Sequence, residues 1–278
     1  MIEAMGALVL LTILAQQVAQ TPGAPPPPVI PEGPPVYVSA KGPILLPNKC
    51  QEVDLESLGL TCSEGDPCET FLEFSSVEQN NGVLVLTGNF HTSTATIQSV
   101  LLVSEDDGST WKEGHPRLKG ASLEGMQFID FSNGWVAGHS SLALPRDPFL
   151  LLTSDGGRNW RKVDFYAESR VGLVEDFAFK TAKQGWALID NKGSGEAGRY
   201  ELFETATGGA SWELRMMTNR VPKEAAPGQR VGSQTMRTRG DAKKNVVVVE
   251  RRAGAAWSPV ASFRLKIDDC KPGEKEPE

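Results

Sequence analysis

Four arginines, Arg117, Arg146, Arg170 and Arg220, stand in polar stretches between apolar runs. A guanidinium so placed can hold a carboxylate through two parallel hydrogen bonds, so several on one surface would suit an acidic peptide or another carboxylated ligand. Glu113, Glu168 and Glu224 lie close to them in sequence, which leaves a solvated, self-neutralised rim as the competing reading. Other chemistry is thinly supplied. The only histidines, His91, His115 and His139, each stand alone, and no G-x-S-x-G element offers a nucleophile. Gly193-Ser194-Gly195 leads into a strand-like stretch, whereas a phosphate-cradling loop opens a helix. Neither a cofactor nor a metal is expected.

An internal repeat must position these arginines. Ser104-Glu105-Asp106-Asp107-Gly108-Ser109-Thr110-Trp111 returns as Thr153-Ser154-Asp155-Gly156-Gly157-Arg158-Asn159-Trp160, and again as Thr205-Ala206-Thr207-Gly208-Gly209-Ala210-Ser211-Trp212. The tryptophans recur about every fifty residues, a period of propellers and solenoids. A fourth, degenerate copy is expected at 250–257, where Gly254 and Trp257 keep their places. The copies follow apolar runs such as Val100-Leu101-Leu102-Val103 and Phe149-Leu150-Leu151-Leu152 and so read as hairpin turns. Hydroxyl and carboxylate side chains would accept backbone N–H groups, Gly would supply positive φ, and Trp would plug the turn from below. Upstream, Met126-Gln127-Phe128 and Phe177-Ala178-Phe179 precede Gly134-Trp135 and Gly185-Trp186 at equal spacing, which makes each unit four strands.

Ser104, Asp106, Gly108, Thr110 and Trp111 meet every fixed position of S-x-D-x-G-x-T-W, and the chain resembles the Asp-box, or BNR, repeat family. Gly-Trp on the second strand with T-x-D-G-G-x-x-W after the third is most similar to propellers of the photosystem II stability and assembly factor group, over roughly residues 70 to 265. The resemblance implies an all-β fold, a small Asp-box propeller of about four blades of four antiparallel strands, and a non-enzymatic scaffold for a protein partner. The alternatives are a sialidase-like glycoside hydrolase and a non-catalytic glycan-binding module. For a sialidase the resemblance implies three clamping arginines, a Tyr nucleophile paired with Glu, and an Asp acid/base. Only Tyr37, Tyr166 and Tyr200 are present, no Arg-Ile-Pro element occurs, and no Tyr–Glu pair reaching the arginines is evident.

On this reading the connections near 113–123, 164–174 and 216–230 open on one face, together with the loop holding Arg146, and would gather the arginines there. Residues 1–19, with the apolar run Met5 to Ala15, read as a secretory signal, and 20–35, around Pro25-Pro26-Pro27-Pro28, as an extended linker. The propeller would occupy 36–270 and a charged tail 271–278. The expected location is therefore secreted or periplasmic, with no membrane span after signal cleavage. A net charge of −7 with no basic block gives no footprint for nucleic acid. Four cysteines suit two disulfides, with three possible connectivities; Cys62 with Cys68 and Cys50 with Cys270 are favoured, the second tying the ends of the array. Val36 to Cys50 would add the strand missing from the last blade.

Overall fold

The computed structural model describes residues 34–39, 42–48, 50, 52–141, 144–193, 198–225 and 235–271. The signal segment, most of the linker, the end of the connection near 216–230 and residues 272–278 lie outside these. The described part is almost all β, in four antiparallel sheets. The first contains β2 (Cys68–Asn80), β3 (Val83–His91), β4 (Thr96–Ser104) and β5 (Thr110–Lys119). The second is β6 (Ala121–Phe128), β7 (Gly134–Ser141), β8 (Pro145–Thr153) and β9 (Arg161–Asp164). The third is β10 (Leu173–Phe179), β11 (Gly185–Asp190), β12 (Tyr200–Thr205) and β13 (Glu213–Thr218). These are the three expected four-stranded blades.

The fourth sheet has three strands, β14 (Met236–Asp241), β15 (Val246–Ala253) and β16 (Ala256–Arg264), and the first sheet has six. The extra two are β1 (Val36–Val38), paired with β5, and β17 (Lys266–Cys270), paired with β2. The N-terminal stretch therefore meets the open edge of the last sheet beside β16 through a single bridge, not through a full fourth strand. It runs along the outer edges of two sheets: β1 extends the first, and Ile44 forms a parallel bridge to Phe263 of the fourth. Both backbone groups of Ile44 are used, its N–H to Ser262 and its carbonyl from Arg264.

The sheets stack face to face through three cores. Phe74, Leu84, Leu102 and Trp111 meet Val247, Val249 and Phe263 between the fourth and first sheets. Val85, Leu101 and Val103 meet Leu123, Val136 and Leu151 between the first and second. Trp135, Leu150 and Leu152 meet Phe177, Ile189 and Phe203 between the second and third. Because β3 and β4 are covered on both faces, they are buried almost end to end, and they read in sequence as apolar runs rather than as alternation. Among the described residues no buried apolar cluster joins the third sheet to the fourth. The far face of the third carries a small cluster of its own, Leu188 and Leu202 under Ala225.

One element has no counterpart in the sequence reading. A short helix, α1 (Glu52–Ser57), lies between the N-terminal stretch and β2, and Leu55 packs beside the disulfides Cys50–Cys270 and Cys62–Cys68. Both favoured pairings are therefore present. The first spans 220 residues and fixes β17 against β2, where Cys270 lies opposite Cys68. Closing so long a loop stabilises by about 5 kcal/mol in the chain-entropy view. Replacing Cys50 and Cys270 together by Ser should lower folding stability by roughly that amount, measured as a shift in denaturant midpoint, and non-reducing peptide mapping of the parent should recover the linked pair.

Candidate functional site

Three repeated turns, at one end of the sheets, share one hydrogen-bond scheme. In the first, the Ser104 hydroxyl donates to Asp106 (2.9 Å) and accepts the Gly108 N–H (2.9 Å), while the Asp106 carboxylate accepts both the N–H and the hydroxyl of Thr110 (2.8 and 2.6 Å). In the second, Thr153, Asp155, Gly157 and Asn159 repeat it, with the Asn159 amide donating where the Thr110 hydroxyl did and Asp155 also accepting the Arg158 N–H. In the third, Thr207 replaces the Asp. Its hydroxyl accepts the Ser211 N–H (2.9 Å), and Gly209 still donates to Thr205 (3.0 Å). These bonds hold the Asp106 and Asp155 carboxyls below the usual range, the two bonds from Thr110 leading at Asp106.

Two successive residues with positive φ bend each turn: Asp107 and Gly108, Gly156 and Gly157, Gly208 and Gly209. The second Gly is also needed for room, since a Cβ on Gly108 would come within 2.3 Å of Val260 in the fourth sheet, and one on Gly157 within 2.7 Å of Val85 in the first. Trp111 and Trp160 are buried, and each donates its indole N–H to the Gly three residues before it (3.1 and 2.8 Å). Trp212 departs from the expected equivalence: it is only partly buried, and its Nε1 has no hydrogen-bond partner. The fourth copy is not such a turn. β15 and β16 are joined by a tight hairpin with Ala253 opposite Ala256, and Trp257 lies under Arg237 at 4.3 Å. The Ser104 position holds Glu250, whose carboxylate is taken by Arg237 and Arg239, and the Asp106 position holds Arg252, so nothing holds the longer turn open.

Amide side chains, which the sequence reading missed, link the sheets. Asn89 of β3 accepts the Leu123 N–H (2.8 Å) and donates to the Leu123 carbonyl (3.0 Å), acting as one more strand residue for β6. Gln127 does the same for Phe179 in the third sheet (2.9 and 3.2 Å). Their separations of 34 and 52 residues give no local signal.

The arginines do not form the expected clamp. Arg117 lies within β5, not in a loop, and its side chain points into the structure, bonded to Glu113 (2.9 Å) and to the Pro47 carbonyl (2.6 Å) over the Phe90 ring. Arg146 is likewise in a strand, β8, with its buried Nε unpartnered. Arg170 lies in the connection before β10, over the Tyr166 ring and 3.4 Å from the buried Glu201 carboxylate. Arg220 is exposed after β13. The strand directions place all four toward the end of the sheets opposite the repeated turns, and backbone bonds between Asp147 and Arg170 set Arg146 beside the Arg170 segment.

Two of them instead complete Tyr–Glu–Arg sets, correcting the expectation that no Tyr–Glu pair meets the arginines. Tyr37 donates to Glu113 (2.8 Å), the acceptor of Arg117, and Tyr166 donates to Glu201 (2.8 Å), the acceptor of Arg170. Burial first, and the adjoining carboxylate second, push the Tyr37 phenol up to about 12 and Tyr166 further up. Nearby, Asp190 is 1% exposed in its side chain and accepts from Arg199 (2.7 Å) and Lys192 (3.1 Å). Burial raises its pKa, but those bonds outweigh it and bring it down to about 2. His139 is buried, and desolvation, with the charge of Lys192, lowers it to about 4. No group of three His, Cys, Asp or Glu residues converges among the described residues, and none of their helices is long and apolar enough to cross a membrane.

No family model and no curated protein matches the chain. Among solved structures, YCF48 bound to a D1 peptide is similar over 70% of this chain and 55% of its own, at 15% identity and a TM-score of 0.36. The GH74 xyloglucanase from Xanthomonas campestris is similar over 72% of this chain and 30% of its own, at 15% identity and a TM-score of 0.37. A GH43 β-1,3-galactosidase with galactodeoxynojirimycin is similar over 71% and 94%, at 10% identity and a TM-score of 0.26. The chain thus spans just over half the length of the first and under a third of the second.

The turn geometry orders the cost of losing each tryptophan. Trp111→Ala and Trp160→Ala should each destabilise by about 3 to 5 kcal/mol, and Trp212→Ala by less, because it forfeits less burial and no indole bond; thermal melts of the three variants check this. Stability should also fall in acid. Unfolded His139 takes up a proton near its ordinary value of 6.5 that the folded form refuses until about 4. Its contribution is therefore complete above 6.5 and is lost as pH falls through 4, at up to about 1.4 kcal/mol per pH unit. Denaturant midpoints measured across that window should decline in the parent and flatten in His139→Gln.

Proposed function

We propose that the chain is an exported, non-enzymatic binding or assembly scaffold, built on an Asp-box propeller, that engages a protein partner. The closure of the two Tyr–Glu–Arg sets carries this reading. Catalysis of the sialidase type would need a tyrosine able to give up its proton and several arginines open to one substrate carboxylate. Here the arginines beside the two Tyr–Glu pairs, Arg117 and Arg170, are already committed to Glu113 and Glu201 and are not open to a substrate carboxylate. The repeated turns likewise spend their hydroxyls and carboxylates on their own backbone. What the chain offers a partner is a frame tied by disulfides and interlocking sheets, with connecting segments at its arginine-bearing end. Export fits the two disulfides and the apolar run at the N-terminus.

A pull-down from cell envelope with the mature chain should recover a protein partner. Arg220→Glu should weaken that binding several-fold and reduce its salt dependence without changing the melt, since a rim charge acts through steering. Hydrolysis of a fluorogenic sialoside at ordinary enzyme rates would overturn the proposal.

A further inference from the structure

An equivalent row of side chains crosses the first three sheets beside the repeated turns. Val85 faces Val103 in the first, Trp135 faces Leu152 in the second, and Trp186 faces Glu204 in the third. In the first two sheets the row is apolar and seals the next interface. Trp135 is 2% exposed, stacks on Phe179 at 3.6 Å, and donates its indole N–H to the Gly208 carbonyl of the following turn (2.9 Å).

The third sheet keeps the tryptophan but changes its neighbours. Glu204 stands where Val103 and Leu152 stood, with Glu213 beyond it and the small Ala178 on the other side. The Glu204 side chain is 54% exposed. Burying such carboxylates against another sheet would cost far more than the aliphatic side chains they replace, so this row is not a sheet interface. Trp186, half-buried, lines instead a cleft of about 350 Å³, whose rim includes Lys180, Gln184, Thr207, Glu204 and Glu213. That volume lies at the lower end of small-molecule sites, which run from about 300 to 1,000 Å³.

We propose that this cleft binds a neutral saccharide, with one C–H face of a pyranose ring on the Trp186 indole and its hydroxyls on Gln184, Glu204, Glu213 and Lys180. Three features select that occupant. The indole offers an apolar face, the rim mixes donors with acceptors, and its charges cancel: the two carboxylates are matched by Lys180 and by Arg215, which is 3.0 Å from Glu204. An apolar peptide would strand the carboxylates, and a charged ligand would find no net complement. A ring with one greasy face and a hydroxylated edge satisfies both kinds of surface. The site lies at the turn-bearing end of the sheets, away from the arginines, and stands independently of the protein-scaffold reading.

A glycan array probed with the full chain should show binding to at least one neutral glycan. Titration of that glycan should move the Trp186 indole N–H resonance saturably, whereas Trp257, on the fourth sheet, should not respond. Trp186→Ala should weaken binding at least roughly tenfold. Should that variant fail to fold, Trp186→Phe, which keeps a stacking face, and Glu213→Ala at its exposed position should each weaken binding a few-fold. Absence of any neutral ligand, preference for acidic glycans, an indole response to an arginine-rich peptide in place of sugar, or undiminished binding in the folded variants would each overturn the proposal.

Discussion

The structure depends on the clamp inside the repeated turn, in which one hydroxyl and one carboxylate or second hydroxyl hold two consecutive residues in left-handed backbone. That conformation costs free energy for any residue with a side chain, and Asp107 adopts it with φ of 63°. The compensation is that a compact turn lets the chain reverse between third and fourth strands while its glycine lies flush on the neighbouring sheet. Gly108 against Val260 and Gly157 against Val85 are contacts that no larger residue permits. Local turn chemistry thus sets the approach of whole sheets. The fourth sheet shows the reverse case: without the serine and aspartate of the clamp it takes a tight hairpin, and besides Val260 it meets the first turn through the ion pair of Arg251 with Asp107.

The array must also hold its ends. A row of sheets each needing a neighbour on both faces leaves terminal surfaces, and closure or capping is the usual answer. Here β17 joins the first sheet on its β2 side, while the N-terminal stretch runs over the outer edges of the first and fourth, and Cys50–Cys270 binds the two chain ends together. The three devices act at one seam. The opposite terminal surface, on the third sheet, is treated differently: its Gly-Trp strand is retained, but its packing row has become polar at Glu204.

Much of this was legible in the sequence because the governing contacts are local. Ser104, Asp106, Gly108, Thr110 and Trp111 act on one another across three or four residues, so their types and spacing identify both the turn and the strands beside it. The pairing Cys62–Cys68 was readable for the same reason. The candidate site was much less legible. Arg117 looked like a loop residue because β5 continues past its turn, through His115-Pro116, at the sheet's outer side. Tyr37–Glu113 and Tyr166–Glu201 are separated by 76 and 35 residues, and Asn89–Leu123 by 34. Such pairings are set by how neighbouring sheets register, and no periodicity along the chain encodes that register.

Electrostatics explain why the arginines mislead when read along the chain. A guanidinium near a surface is expected to face water, yet beside a buried carboxylate it gains more by neutralising it, because an unpaired buried charge is so costly. Glu201 and Asp190 are each about 1% exposed, and each draws in the arginine nearest its opening, Arg170 and Arg199. Positive charge that seems available for a ligand is thereby spent on the fold. Glu204 behaves oppositely: it lies in the open, its arginine is equally exposed at 57%, and the exchange of that pair for other hydrogen-bonding partners costs little. Solvated, loosely paired charges such as Glu204 and Arg215 can therefore exchange partners at little cost, whereas the tightly paired Arg170 and Arg199 belong to stability.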